Sequence, residues 1–326
     1  MGRRMHAAGR SSGDHTHSLM RQSSPMNADQ LRELLRSLKV WRRGDERAPH
    51  KPLLLLLALA HVRRGDERLL SYADIDAPLR DLLRDFGPKR KSAHPEMPFW
   101  HLCSSGFWEV TDKEQIQALL PQVTKRRNPS SKLLIERATQ GGFCKQAHDL
   151  LQGEPALVDE LAQEILEAHF PNSYHNDILD AVGFQWIQES TRRPRDPKFR
   201  NEVLQAYEHR CAVCGFAARL GQHDLALEAA HVKWHCENGP DSVENGLALC
   251  VFHHRMLDRG ALSIDDAHHV LVSKDVNGPG VDDLLLRYCG QPLLGPMHGD
   301  PPINTAYLAW HRKEVFRAPA RVARGS

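Results

Sequence analysis

No stretch of this chain is apolar for long enough to cross a bilayer. Its most apolar run, Leu53 to Leu59, has seven residues, against the roughly 20 that a spanning helix needs, and it reads as a buried helix. The first 25 residues carry arginines but no apolar core, so they are not expected to act as a secretory leader. Residues 1–26 are expected to be a disordered extension, with Met26 a candidate start of the folded protein. Charge of one sign is also scarce. Lys and Arg number 43 and Asp and Glu 41, a net charge of +2, so the total makes no case for a polyanionic partner. Cysteines are seven, an odd number, and Cys103, Cys144, Cys236 and Cys289 show no framework spacing. A disulfide scaffold is therefore not indicated, and a reducing cytoplasm is expected. RRGDER occurs at 42–47 and again at 63–68, as two polar turns flanking one helix and not as a repeat architecture.

What is present suffices for two domains. The chain has 326 residues, 41% of them hydrophobic, enough to fill globular cores. Leu31, Leu34, Leu35 and Leu38 share one helical face after Asn27 or Asp29 as cap, and Pro52 suits the first turn of a helix running to about Val62. Helices are also read at 71–85, 130–137, 156–169 and after Pro171. The segments PFWHL and FWEV around CSSG, within 98–110, suggest a hairpin or two short strands, with Trp100, Phe107 and Trp108 as core residues. Toward the end, Leu262–Ile264 and Val270–Val272 read as a hairpin and 303–317 as a terminal helix. Basic clusters at 87–91, 125–127 and 191–200 are candidates for phosphate contacts.

The informative block runs from Cys211 to Asp258. A CxxC pair, Cys211 and Cys214, is followed 36 residues later by CVFHH, with Cys250, His253 and His254. Three thiolates and an imidazole from Cys211, Cys214, Cys250 and His253 are the ligand set of a closed, structural tetrahedral zinc. His231 in AAHV, Asn245 in ENGLAL and His254 are not needed for that zinc.

The order AAHV, ENGLAL, CxxHH, with intervals of 14 and 9 residues between His231, Asn245 and His254, resembles the HNH (ββα-metal) nucleases stapled by a zinc knuckle. The resemblance implies that His231 is the general base taking a proton from the attacking water. It implies that Asn245 holds the loop and orients the His231 ring by a hydrogen bond, and that His254 ligates one divalent metal ion (Mg²⁺, Mn²⁺, Co²⁺ or Ni²⁺). Asp258, one helical turn beyond His254, is the expected second ligand. Many members of that family place an Asp or His ligand directly before the base, where this chain has Ala230.

The N-terminal region has a second resemblance. HKPLLLLLAL, PFWHL…GFWEV and HFPNSYHNDIL…VGF, in that order, resemble the sulfur-binding domain of phosphorothioate-dependent restriction endonucleases, which there precedes an HNH nuclease. Such domains recognise DNA in which sulfur replaces a non-bridging phosphate oxygen. Sulfur is larger, more polarisable and a weaker hydrogen-bond acceptor, so an apolar cavity favours it over oxygen. By the resemblance the cavity falls on Phe170, Pro171 and Tyr174, with Phe170 where a Tyr is usual, and the basic side on Arg126 or Arg127.

The expected architecture is α+β: extension 1–26, a mainly helical modified-DNA reader at 27–184, a basic linker at 185–200 and an HNH domain with its zinc knuckle at 201–320. The expected partner is phosphorothioate-modified double-stranded DNA, with no membrane and with a homodimer left open. Two rivals stand beside a sulfur-directed endonuclease: an HNH enzyme reading another mark such as a methylated base, and a non-catalytic zinc-containing DNA-binding protein.

Overall fold

The computed structural model describes residues 26–38, 47–90, 92–123, 128–184, 197–221 and 223–322. The residues before Met26, the basic cluster at 125–127 with Arg126 and Arg127, and residues 185–196 of the expected linker lie outside that set. No helix among the described residues is long and apolar enough to cross a membrane.

The N-terminal half runs α1 (Ala28–Arg36), α2 (His50–Arg64), β1 (Leu70–Ser71), α3 (Tyr72–Phe86), α4 (Glu96–His101), β2 (Trp108–Val110), α5 (Lys113–Val123), α6 (Ser131–Glu136), β3 (Gln140–Phe143), α7 (Lys145–Gly153), α8 (Pro155–His169) and α9 (Asn172–Val182). Asn27, not Asp29, caps α1: its side chain accepts the Gln30 N–H at 2.8 Å while the Gln30 side chain accepts the Asn27 N–H at 3.0 Å, a reciprocal capping box. Helix α2 is the axis of this half. Leu53 through Ala60 are all buried, because α3, α4, α7, α8 and α9 all pack against it. A helix covered on every side has no reason to be amphipathic.

The expected hairpin at 98–110 is not there. PFWHL is helical, in α4 and the turn after it, whereas FWEV supplies β2. Pro98 sits in the first turn of α4, where its missing N–H costs nothing, and the helix buries Phe99 and Trp100. β2 pairs instead with β3 (Trp108↔Phe143), which also pairs with β1 (Leu70↔Gly141). The aromatic residues are core, as expected: Trp100, Phe107 and Trp108 are buried, and Phe99 meets Trp108 edge-on at 6.1 Å.

The C-terminal half runs α10 (Pro197–Ala206), β4 (Ala218–Leu220), β5 (His223–Leu225), β6 (Leu227–His231), β7 (Gly246–Cys250), α11 (Val251–Asp258), β8 (Leu262–Ile264), β9 (Val270–Val272), α12 (Val281–Leu284) and α13 (Thr305–Glu314). Antiparallel β6 and β7 pair from Leu227↔Cys250 to His231↔Gly246 and lead straight into α11. That ββα unit is the frame of the site. The α+β class holds, with a mainly helical N-terminal half and small sheets in the C-terminal one.

The two halves share packing. Trp234 and Trp310 of the C-terminal half belong to the N-terminal core. Trp234 is 1% exposed, meets Tyr174 edge-on at 5.4 Å and lies under the Arg47 guanidinium at 4.0 Å. Arg47 in turn donates to the Phe86 carbonyl at 2.9 Å and the Glu314 carbonyl at 3.2 Å. The described part of the 87–91 basic cluster serves the same seam. Lys89 bonds Asp275 at 2.9 Å and the Ala318 carbonyl, and Arg90 lies 3.7 Å from Glu314. These two cations therefore pair with acidic residues of the C-terminal half.

Candidate active site and metal centre

Cys211 and Cys214 lie between α10 and β4, Cys250 ends β7, and His253 is on the first turn of α11. Their ligand atoms all lie within 4.8 Å of one another. His253 Nδ1 is 3.6 Å from Cys211 Sγ and 3.2 Å from Cys250 Sγ. Zn–S and Zn–N bonds of tetrahedral zinc imply ligand–ligand edges of about 3.5 Å, so the quartet fits that ion. His253 Nε2 donates to the Leu284 carbonyl at 3.0 Å, which aims Nδ1 at the cluster, as an outer partner of a metal ligand does. Hydrogen bonds from Cys214 and Cys250 hold the Cys211 thiol far below its ordinary pKa. Burial disfavours a charged His253, but hydrogen bonds to Cys211 and Cys214 outweigh it and push the ring up to about 9. Four donors arranged to hold a positive charge are what a metal centre needs.

His231 ends β6. Its ring is stacked on Phe199 of α10, centroids 4.0 Å apart and planes at 20°. That approach depends on Gly246 across the strand pair, where a Cβ would lie 2.3 Å from Val203 Cγ2 and 3.2 Å from Phe199 Cε2. Asn245 is fully buried. Its Oδ1 accepts the Lys233 N–H at 2.8 Å, and its amide group donates to the Lys233 carbonyl at 2.9 Å and the Pro240 carbonyl at 3.0 Å. Asn245 thus pins the loop between β6 and β7, as expected, but the expected hydrogen bond to the His231 ring is absent: all three bonds go to loop backbone. The ring is held by Asp241, whose Oδ1 is 2.7 Å from His231 Nε2. Nothing in the sequence pattern marks Asp241, because its contact is made by the fold of a loop and not by periodicity.

His254 and Asp258 come together one helical turn apart, Nε2 to Oδ2 at 3.3 Å. The other ring nitrogen, Nδ1, is 2.7 Å from Glu228 Oε2. Glu228 was also missed, although strand alternation puts it on the same face of β6 as Ala230, the position where a ligand was expected. Ala230 itself is fully buried. Asp258 is held from across the seam: the Ser173 hydroxyl of α9 donates to its Oδ2, and the Tyr174 hydroxyl donates to its backbone carbonyl at 2.7 Å. Asp177, one turn further along α9, pairs with Arg255 at 3.0 Å and with Arg259. His254 and Asp258 offer two adjacent donors of the kind a hard divalent cation takes, with Glu228 beside them, so the residues present fit such an ion.

The residues assigned to a sulfur cavity are placed differently. Phe170 and Tyr174 are each 1% exposed. Tyr174 lies between Phe86 and Trp234 with the Arg259 guanidinium 4.6 Å from its ring, and burial raises its pKa, keeping the phenol a neutral donor. Phe170 is thus a buried core residue of the N-terminal half and Tyr174 packs at the seam. Pro171, the N-cap of α9, is the one member of the trio that is partly exposed.

Comparison with known proteins adds two family matches. Residues 28–186 match the ScoMcrA-like DNA sulfur-binding domain, and residues 211–265 match the HNH endonuclease domain. No curated protein matches the chain. Among solved structures, the sulfur binding domain of SprMcrA complexed with phosphorothioated DNA is 22% identical with a TM-score of 0.39, over 48% of this chain and 94% of that one. The corresponding domain of ScoMcrA, also complexed with phosphorothioated DNA, is 20% identical with a TM-score of 0.40, over 46% of this chain and 93% of that one. The Type IV phosphorothioation-dependent restriction endonuclease ScoMcrA is 19% identical with a TM-score of 0.37, over 61% of this chain and 41% of that one.

Proposed function

This chain joins a ScoMcrA-like DNA sulfur-binding domain to an HNH endonuclease domain, and from that premise we propose that it recognises phosphorothioate-modified double-stranded DNA and hydrolyses phosphodiester bonds near the mark. The observation that carries the cutting half is the ββα unit: β6 ends on His231, Asn245 stands just before β7, and α11 carries His254. His231 takes a proton from water as the water oxygen bonds to phosphorus. The bond from phosphorus to the leaving oxygen breaks, and that oxygen acquires a proton from solvent. Asn245 keeps the loop after His231 in one conformation. His254 and Asp258 would hold a divalent ion, with Glu228 orienting His254 through Nδ1. Such an ion, when bound, supplies charge stabilisation at the phosphate and leaving oxygen.

The Cys211, Cys214, Cys250 and His253 quartet is proposed to hold a structural zinc. Its all-protein S₃N donor set leaves no open position for substrate. On the reading side, Pro171 and the arginines at 126 and 127 remain the residues proposed to face the modified backbone. Phe170 and Tyr174 act behind them by fixing the start of α9.

The test is digestion of matched plasmids, with and without phosphorothioate, by the full chain across Mg²⁺, Mn²⁺, Co²⁺ and Ni²⁺. The expected result is cleavage of the modified plasmid alone, in at least one metal. Equal cutting of both plasmids would overturn sulfur recognition, and cutting that follows base methylation would replace it with the other mark. Binding without cutting in every metal would leave a DNA-binding protein.

A further inference from the structure

The contact between Asp241 and His231 has no part in the roles above. Asp241 Oδ1 meets His231 Nε2 at 2.7 Å, and Asp241 Oδ2 lies 4.0 Å from Nε2 of the largely exposed His235. The carboxylate is 38% exposed, whereas the His231 side chain is 10% exposed. Its placement is dictated by the loop. Asn245 holds the carbonyl of Pro240, the residue just before Asp241. Gly239 lets the loop close on Lys233, since a Cβ there would come within 1.8 Å of the Lys233 carbonyl oxygen. With Phe199 against the ring face and His235 edge-on at 5.9 Å, the imidazole is fixed in plane and in rotation.

We propose that Asp241 is a positioning residue for cleavage: it fixes the tautomer and orientation of His231, and Asn245 acts on the base through Asp241. The inference rests on the reading of His231 as the general base. A carboxylate only accepts hydrogen bonds, so it selects the neutral imidazole with its hydrogen on Nε2. The lone pair is then on Nδ1, which becomes the atom that takes the proton from water. An amide at position 241 can donate to Nε2 and so favours the opposite tautomer, with hydrogen on Nδ1 and no lone pair there to accept a proton. Removing the side chain leaves both tautomers available. The three substitutions should therefore rank by chemistry and not by size.

In single-turnover cleavage by the full chain, Asp241→Asn should lose roughly 10²-fold or more in rate, with affinity for the same duplex unchanged. Asp241→Ala should lose less than the near-isosteric Asn, and Asp241→Glu should recover part of the rate. A role confined to loop structure predicts the reverse order, with Asn the mildest. Imidazole ¹⁵N spectra of the wild-type protein, with His231 assigned by loss of its signals in His231→Ala, need no position 241 variant. They should show the Nε2–H tautomer, and an Nδ1–H tautomer would overturn the inference even if every variant misfolded. His231→Ala separates the two levels. If it abolishes cleavage while Asp241→Asn cuts at the wild-type rate, the positioning role falls and the base stands. If His231→Ala itself cuts normally, both fall.

Discussion

The nuclease half and the reader half treat their signature residues in opposite ways. Around β6, β7 and α11, the residues singled out for chemistry are assembled for it. The four zinc donors lie within 4.8 Å of one another, His231 meets a carboxylate, and His254 meets two. In the reader half, Phe170 and Tyr174 of the FPNSYH segment are buried, and the segment's polar groups reach across to α11. A set of metal donors brought together at ligand distances has few other uses, so its identity and spacing carry function. An aromatic residue next to a proline serves a helix boundary or a core equally well, so the same kind of motif carries only a place in the fold.

The sharpest break between the two regions is metal removal. Binding free energy of a structural zinc is about 10 kcal/mol or more and is largely folding free energy. Chelation, or Cys211→Ser, should therefore unfold the C-terminal module with loss of about one zinc per chain. Zinc analysis with circular dichroism checks this, and a stable, fully metallated Cys211→Ser protein would show the quartet to be misassigned. Because Trp234 and Trp310 belong to the N-terminal core, unfolding should also lower the stability of the reader half.

Within the reader, size should matter where chemistry does not. Phe170→Ala should cost about 3–5 kcal/mol, as truncation of a fully buried ring does, whereas Tyr174→Phe removes only the hydroxyl bonded to the Asp258 carbonyl and should cost about 1 kcal/mol. Urea denaturation of the two variants measures the difference. Equal, negligible losses would mean that the segment is an open cavity after all.

Between these sits a pH effect of about 3 kcal/mol. His311 is buried against the Ser263 hydroxyl and the Leu257 carbonyl, and desolvation lowers its pKa from 6.5 to about 4. The folded state thus keeps this ring neutral where the unfolded chain protonates it. The associated stability is present above pH 6.5 and is lost as pH falls from 6.5 toward 4. Denaturation midpoints of the wild type and His311→Gln should converge over that range. Parallel curves would remove His311 as the source.

Much of the C-terminal half was legible because donor identity and interval constrain it together. The zinc quartet, His231, His254, the β8–β9 hairpin and the terminal helix α13 all follow from the sequence. The ring-holding role was given to Asn245, whose amide turns out to satisfy loop backbone, while Asp241 gained its contact only once the loop closed. Glu228 was readable in principle from strand alternation with Ala230. In the N-terminal half, the apolar run of α2 and the Asn27 or Asp29 cap were visible. PFWHL read as strand because its aromatics favour sheets, yet Pro98 at a first turn and burial on the α4 face made it helix. The basic cluster at 87–90 could not be resolved from sequence, since its partners Asp275 and Glu314 are nearly two hundred residues or more away.

The most direct test of the account is the rate at which His231→Ala cuts a duplex carrying a single phosphorothioate, measured beside its affinity for that duplex and its zinc content. The account predicts unchanged zinc, near wild-type binding and a cleavage rate reduced roughly 10³-fold or more. Cleavage at the wild-type rate by a zinc-loaded His231→Ala protein would contradict it.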